Sequence, residues 1–542
     1  MGSKHVRGSQ HEQLVELIDS VLDSDSEDSI CEDVQVLEDD SLCENESVNS
    51  DSESDNGQNN RAGPSQPKRT DNEWEWVTGD NVAIIHPFTA NSGVSEFIFD
   101  KYAGESPTEL SIFLDFMDPL FSIITTETNN YARKQLSNDN RKSKSDDDKW
   151  FDTTEDEIKA YFALCILMSQ VRKPRIQLYW SKSRCIETPI FSETMSRERF
   201  LLISRFLHFT DDTVTGDAGD KLKKLRPIIN HFLEKFSSLF LLSENIVLDE
   251  SLMKFRGRLP YVQCNRSKRA RFGIKIYKIC DSDTGYCNSF RIYTGDDMIE
   301  PSLPASTNVV MHMCEPLFNK GHSLYLDNWY MSPDLCKRVS EKGTNIVGTV
   351  RANRKNMPAD ISTIKLKRGE YQAWFCNNIL CLKWKDNKDV HFLSSKHETA
   401  NITTTGKLRR KRGQQPREEI EKPRLALDYQ DGMKGVDLQD QVTALFPIMR
   451  RTVKGYRKIF FYLLDICIFN AFVVHCTWSE KKKRYTDFRV AAATQLLETV
   501  QLPDYKVRGR PSSITTPLRL QAKNWAHFPM RIPSTDEKKK SI

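Results

Sequence analysis

At residue 246 the hydrophobic pattern of this 542-residue chain changes, and that change limits what the chain can fold into. From about 92 to 240 the apolar residues recur with a helical period. Pro107-Thr-Glu-Leu-Ser-Ile-Phe-Leu-Asp-Phe-Met carries an i, i+3, i+4 stripe. Thr154-Glu-Asp-Glu157 has the spacing of a capping box, and the helix it opens bears Ile158, Tyr161, Phe162, Cys165, Ile166 and Met168. Ser196–Phe209 and Lys221–Phe236 read as two further amphipathic helices, with His208 and His231 as ordinary helix residues. From 246 onward short apolar runs predict strands at 246–255, 272–280, 288–293, 323–330 and 345–351, with helices at 304–318 and 332–342. Three strands followed by alternation with helices argue a mixed α/β sheet.

The flanks of this region read differently. Residues 352–422 hold a basic loop and three β-like runs (371–377, 379–384, 390–395) joined by Asn- and Asp-rich turns. The segment Lys407-Leu-Arg-Arg-Lys-Arg412 suits a nuclear address, a phosphate contact or a solvated loop equally. Residues 459–474 are apolar on all sides, which predicts a buried helix. Its entry, Arg450-Arg-Thr-Val-Lys-Gly-Tyr-Arg-Lys458, is densely cationic, with an aromatic suited to a stacked base. Arg451, Lys454, Tyr456 and Arg457 are therefore candidate DNA contacts.

Charge is distributed unevenly. Residues 1–60 hold 17 Asp and Glu against 2 Lys and Arg, which leaves 58 acids and 76 bases in the remainder. A basic body behind an acidic arm suits a protein that binds a polyanion. The first 73 residues are Ser-, Asp- and Glu-rich and too poor in large apolar groups to offset ordering entropy, so disorder is expected. The N-terminus has no apolar signal region, and no run approaches the roughly 18 apolar residues of a membrane span, so an intracellular, non-membrane protein is expected. Thirteen scattered cysteines without a C-x-x-C pair read as free thiols, and no zinc site is expected.

Acids on three different elements carry the chemistry. Asp249 lies in the first strand and is followed by the cations Lys254, Arg256 and Arg258. Asp327 ends the fourth strand. If the chain is helical after Gly435, Asp437 and Asp440 share a face at i, i+3; an acidic helix start favoured by the macrodipole is the alternative. Two adjacent strands and a returning helix are how an RNase H-like fold gathers carboxylates around Mg²⁺ or Mn²⁺. Such ions activate a water or a 3′-hydroxyl for in-line displacement at phosphorus.

The sequence also resembles the piggyBac family of DNA transposases over roughly residues 92–480. The motifs are Tyr179-Trp-Ser-Lys, Met195-Ser-Arg-Glu-Arg-Phe, Arg205-Phe-Leu-His-Phe, Lys221-Leu-Lys-Lys-Leu-Arg-Pro, Asp249-Glu-Ser with Phe255-Arg-Gly-Arg, and Phe272-Gly-Ile-Lys-Ile-Tyr. They continue with Leu326-Asp-Asn-Trp-Tyr, Gly348-Thr-Val-Arg-Ala-Asn-Arg and Met433-Lys-Gly-Val-Asp-Leu-Gln-Asp-Gln. The resemblance implies a catalytic set on Asp249, Asp327 and Asp437, with Asp440 as a further metal-side acid. It implies Mg²⁺-dependent cleavage of double-stranded DNA ends through hairpins, joining at TTAA targets, a homodimer and a nuclear location. Arg256, Arg258, Lys268, Arg269 and Lys275 are the candidate phosphate contacts; a solvated basic strand edge is the other reading of each.

The domain plan that follows is an acidic tail (1–73), a helical dimerisation and DNA-binding part (92–245) and an RNase H-like core (246–351). A β-rich insertion (352–422), the rest of the core (423–449), a second helical part (450–502) and a basic tail (503–542) complete it. The chain departs from the family pattern in three places. No Cys/His-rich zinc segment follows Cys476, Gly455 stands where a Trp is usual, and Lys268-Arg-Ala270 stands where a Lys-Pro pair is usual. These departures keep a second reading open, a domesticated, non-catalytic DNA-binding or chromatin protein derived from such a transposase.

Overall fold

The structure is a computed structural model, and it describes residues 74–78, 83–103, 105–137, 149–211, 219–264, 272–295, 300–409, 418–448, 454–479 and 483–503. Side chains are described in the same ranges except at 406–409, 418 and 420. Lys268, Arg269 and Arg451, the acidic tail and nearly all of the basic tail lie outside the described residues.

The change at 246 coincides with a switch from helices to strands. Before it stand helices α1 (Glu96–Lys101), α2 (Glu109–Met117), α3 (Leu120–Leu136), α4 (Glu155–Gln170), α5 (Pro189–Thr194), α6 (Arg197–Phe206) and α7 (Arg226–Leu239). A two-residue ladder, β1 (Gly93–Val94) with β2 (Phe240–Leu241), closes this part. The capping box forms as the sequence predicts: Thr154 accepts from the Glu157 N–H while Glu157 accepts from the Thr154 N–H. The Glu157 carboxylate also receives Arg199 at 2.6 Å, so the start of α4 is pinned to α6.

A nine-stranded sheet follows. Its strands are β3 (Asn245–Lys254), β4 (Gln263–Cys264), β5 (Phe272–Asp281), β6 (Cys287–Ile292), β7 (Ser323–Leu326), β8 (Asn345–Thr349), β9 (Tyr371–Cys376), β10 (Ile379–Lys385) and β11 (Asp389–Ser394). Strand β5 pairs antiparallel with both β3 and β6, whereas β3, β7 and β8 run parallel. Helix α8 (Ala305–Cys314) makes the crossover from β6 to β7, and α9 (Pro333–Glu341), capped by Ser332, the one from β7 to β8. Strands that run parallel in one sheet cannot be joined by a tight turn and need such crossovers.

Two expectations change here. The fourth strand stops at Leu326, four residues short of its expected end, because the Asp327 carboxylate accepts the Trp329 N–H at 2.8 Å and turns the chain. The three strands expected in the insertion do not form a sheet of their own. Strand β11 pairs antiparallel with β8, and β10 and β9 extend that edge, so a boundary at 352 divides one continuous sheet. Pairing satisfies backbone groups that β8 would otherwise present at an open edge. The hairpin β12 (Ile402–Arg409) and β13 (Glu418–Pro423) forms a separate ladder that the sequence reading did not anticipate.

The chain then returns over the sheet as α10 (Arg424–Gly432) and α11 (Lys434–Leu445). Two glycines allow this close approach. A Cβ at Gly432 would lie 2.2 Å from the Tyr325 ring, and one at Gly435 would lie 2.4 Å from the Asp281 carbonyl oxygen. Helix α12 (Gly455–Trp478) is long and apolar enough to cross a membrane, which corrects the expectation that no run reaches that length. It is nearly all buried, packed against α2, α7 and α11.

Helix α13 (Tyr485–Glu498) packs on α2 and α4, so the helical body is assembled from both halves of the chain. Arg489, with no exposed surface, joins these parts. It donates to Asp465 on α12 at 3.3 Å, Tyr485 at 2.9 Å, Ser169 on α4 at 2.8 Å and the Phe446 carbonyl beyond α11 at 2.9 Å.

Candidate active site

The pleat brings the site residues together. Val247 faces α11, since its side chain borders the Gly435 position, so Asp249 and Ser251 on the same strand face α11 too. In the β3–β7 ladder Leu248 pairs with Leu326, which puts Asp327 beside Asp249 one step further on. Across β5, Asp249 pairs with Lys278. Across β8, Leu326 pairs with Gly348, so Thr349 continues the row beyond Asp327, and Thr349 pairs with Phe392 of β11. One row therefore crosses the sheet as Lys278, Asp249, Asp327, Thr349 and Phe392. It lies where the parallel strands β7 and β8 end and β3 runs on, the position at which open α/β sheets bind ligands.

Asp437, in the first turn of α11, comes close enough for its charge to act on Asp249. Asp249 responds to the other two acids. Burial, with the charges of Asp327, Glu250 and Asp437, pushes the Asp249 carboxyl from its ordinary 3.8 up to about 7, although the Glu250 N–H it accepts at 2.7 Å opposes the shift. Tyr429 on α10, absent from the sequence-based set, sits among the same charges. Burial and then Asp327, Asp249 and Asp437 push its phenol up to about 12, against the hydrogen bond with Thr349 at 3.3 Å. Its ring meets Phe392 edge-on. The only sequence signal for Tyr429 was its place one helix upstream of Asp437.

The donor set suits a hard divalent cation, which takes carboxylate oxygens and relieves mutual repulsion of this kind. As they stand, no three His, Cys, Asp or Glu side chains among the described residues converge closely enough to hold one ion. Mg²⁺ needs only one or two carboxylates, with water and phosphate oxygens completing its shell. The fit therefore rests on the Asp249–Asp327 pair, with Asp437 facing it.

This gives an expected pH dependence. The folded protein keeps a proton on Asp249 up to about pH 7, whereas an ordinary carboxyl loses it near 3.8. Metal-free protein should thus lose stability as pH rises from about 4 to about 7. Divalent-metal binding should release a proton below about pH 7, with affinity falling roughly tenfold per unit below it. Calorimetric titration of Mn²⁺ in buffers of different ionisation heat reads both effects.

The other candidates separate. Asp440 is engaged elsewhere: its Oδ1 accepts Lys278 Nζ at 2.7 Å and Ser251 Oγ at 2.9 Å. Lys275 lies on the opposite face from Lys278 by strand alternation. Its ammonium is 4.7–4.9 Å from the ring centroids of Tyr293, Tyr277 and Trp329, so it does not share the face of Asp249.

Arg457 is buried and donates to the Ser204 and Arg205 carbonyls at 2.6 Å each, satisfying the end of α6 instead of meeting a phosphate. Lys454 lies over the Tyr131 ring, 4.2 Å from its centroid. Tyr456 bonds His208 Nδ1 at 3.0 Å through its hydroxyl and meets Phe209 edge-on, so it packs within the helical body. A Cβ at Gly455 would meet the Phe255 ring at 3.0 Å and the Leu259 side chain at 3.1 Å, so a larger residue there would require both side chains to shift.

Arg256 and Arg258 are exposed just beyond β3. Beside them Lys458 lies over the Phe255 ring, and burial, then the charge of Lys254, lowers its ammonium pKa.

Comparison with known proteins agrees with this architecture. A family model described as Transposase IS4 matches residues 108–472, well over half of the chain. Human PiggyBac transposable element-derived protein 2 is 26% identical over 375 residues, covering 67% of this chain and 60% of that protein. Human PiggyBac transposable element-derived protein 3 is 26% identical over 422 residues, covering 75% of this chain and 67% of that protein. The chain therefore spans less than two thirds of the first of these relatives. A piggyBac transposase, solved by cryo-EM as a synaptic complex with hairpin DNA, has the same overall fold. Its TM-score is 0.66 at 23% identity, covering 83% of this chain and 90% of that one. The chain belongs to the Transposase IS4 family and is a piggyBac-family transposase-like protein.

Proposed function

We propose that this protein cuts and joins double-stranded DNA as a metal-dependent transposase. The observation that carries this reading is the row that sets Asp249 beside Asp327 at the strand ends, with Asp437 facing them from α11. The sheet order β6-β5-β3-β7-β8, antiparallel then parallel, is what an RNase H-like core requires, and it supports assigning that fold to the core. Asp249, Asp327 and Asp437 would hold Mg²⁺ or Mn²⁺, which when bound activates the attacking oxygen and stabilises the leaving one. The chain's own work is to orient the strand. Trp329 N–H fixes the Asp327 carboxylate, and Arg256 and Arg258, at the exposed end of β3, would take the DNA backbone. A homodimer, hairpin intermediates, TTAA targets and a nuclear location belong to the same reading.

The non-catalytic alternative has one observation in its favour: the three acids do not yet converge on a single point. The test is to incubate the protein with Mg²⁺, a duplex ending in a 3′-hydroxyl and a plasmid carrying TTAA sites. Joined product at TTAA supports the enzyme. DNA binding without nicking or joining overturns it and leaves the binding protein. In either case, replacing Arg256 and Arg258 by Ala should lower the slope of log affinity against log salt by about 1 per residue, read from titrations at several salt concentrations.

A further inference from the structure

Lys278 has no exposed surface, yet it carries an ammonium at the edge of the carboxylate row. Its Nζ is 2.7 Å from Asp440 Oδ1 and 2.8 Å from Gln439 Oε1, and it stands over the Tyr462 ring. Ser251 donates to the same Asp440 oxygen. On the sheet, Lys278 is the register partner of Asp249. A cation buried this completely cannot lose its carboxylate without a large desolvation penalty. A divalent ion that drew Asp440 away would have to meet that penalty, and it would also face the repulsion of the ammonium.

We infer that Lys278 is a resident cation of the carboxylate cluster: it holds Asp440 out of the metal-binding set and so limits that set to Asp249, Asp327 and Asp437. Lys278 is thus a positioning residue, acting through Asp440 and the middle of α11. The inference rests on the metal-dependent reading above and specifies which acids that reading can use. It departs from the expectation that Asp440 is a metal-side acid.

Mn²⁺ binding, followed by electron paramagnetic resonance of the free ion, tests this without reference to activity. Lys278→Met removes the ammonium and frees Asp440, so the dissociation constant should fall on the order of tenfold. Lys278→Met with Asp440→Asn removes both charges and should return the constant to near the wild-type value. A purely structural role would leave affinity unmoved, so a folded Lys278→Met variant with unchanged or weaker binding overturns the inference. So does a double variant that stays tight. Lys278→Gln, which keeps hydrogen bonds without the charge, is read in the same way if the Met variant does not fold; failure of both to fold also overturns it. Asp249→Asn separates the two levels. If it leaves Mn²⁺ binding unchanged, the metal-dependent reading fails. If it abolishes binding while Lys278→Met has no effect, only the role of Lys278 fails.

Discussion

Asp327→Asn is expected to lower DNA strand cleavage by at least about 10³-fold while leaving the fold and DNA binding intact. The substitution is nearly isosteric, and an Asn Oδ1 can still accept the Trp329 N–H that turns the chain after β7. What it removes is one negative charge at the end of a parallel strand, next to Asp249. With that charge gone, burial remains as the main cause of the raised Asp249 pKa, while the pair that would share an ion is lost. Cleavage rates on a labelled duplex, with circular dichroism and salt-dependent binding as controls, read the result. A rate within tenfold of wild type would remove Asp327 from the chemistry.

Arg489→Leu is expected to destabilise the protein by about 3–5 kcal/mol, the usual cost of removing one partner of a buried ion pair. Asp465 would remain 1% exposed, without its guanidinium, keeping only the Ile448 N–H at 3.0 Å. Ser169, Tyr485 and the Phe446 carbonyl would lose a shared donor together. Phe446 and Ile448 continue the chain from α11, so the loss should also loosen the helix that presents Asp437. Denaturant unfolding measures the first effect, and hydrogen exchange along 434–448 the second. Replacing Asp465 by Leu in the same chain should recover part of the stability, because the unpaired charge goes with it.

Strand and helix periods made most of the elements legible, because alternation and capping are local. The capping box at Thr154 and the strands around Asp249 formed as read. The direction in which a cation points was not legible. Lys275 and Lys278 sit three residues apart on one strand, and only the register with β3 says which of them shares the face of Asp249. Lys275, a candidate phosphate contact from the sequence, lies on the far face, and Lys278 was not among the candidates. Arg457 looked like a surface cation in a basic run, yet it closes the end of α6, a contact 252 residues away in sequence. Tyr429 was hidden for a related reason: its role depends on how α10 folds onto β8, where Thr349 meets it. The edge pairing of β8 with β11 is another long-range event that short β-like runs do not announce.

If the protein is a metal-dependent transposase, Asp249, Asp327 and Asp437 should share one divalent-metal site. Crystals grown with Mn²⁺ and a short duplex, measured at the manganese absorption edge, test it most directly. An anomalous peak is expected between Asp249 and Asp327, with Asp437 as a further ligand and Asp440 still bound to Lys278. Full occupancy of Mn²⁺ elsewhere, with no density between Asp249 and Asp327, would contradict it.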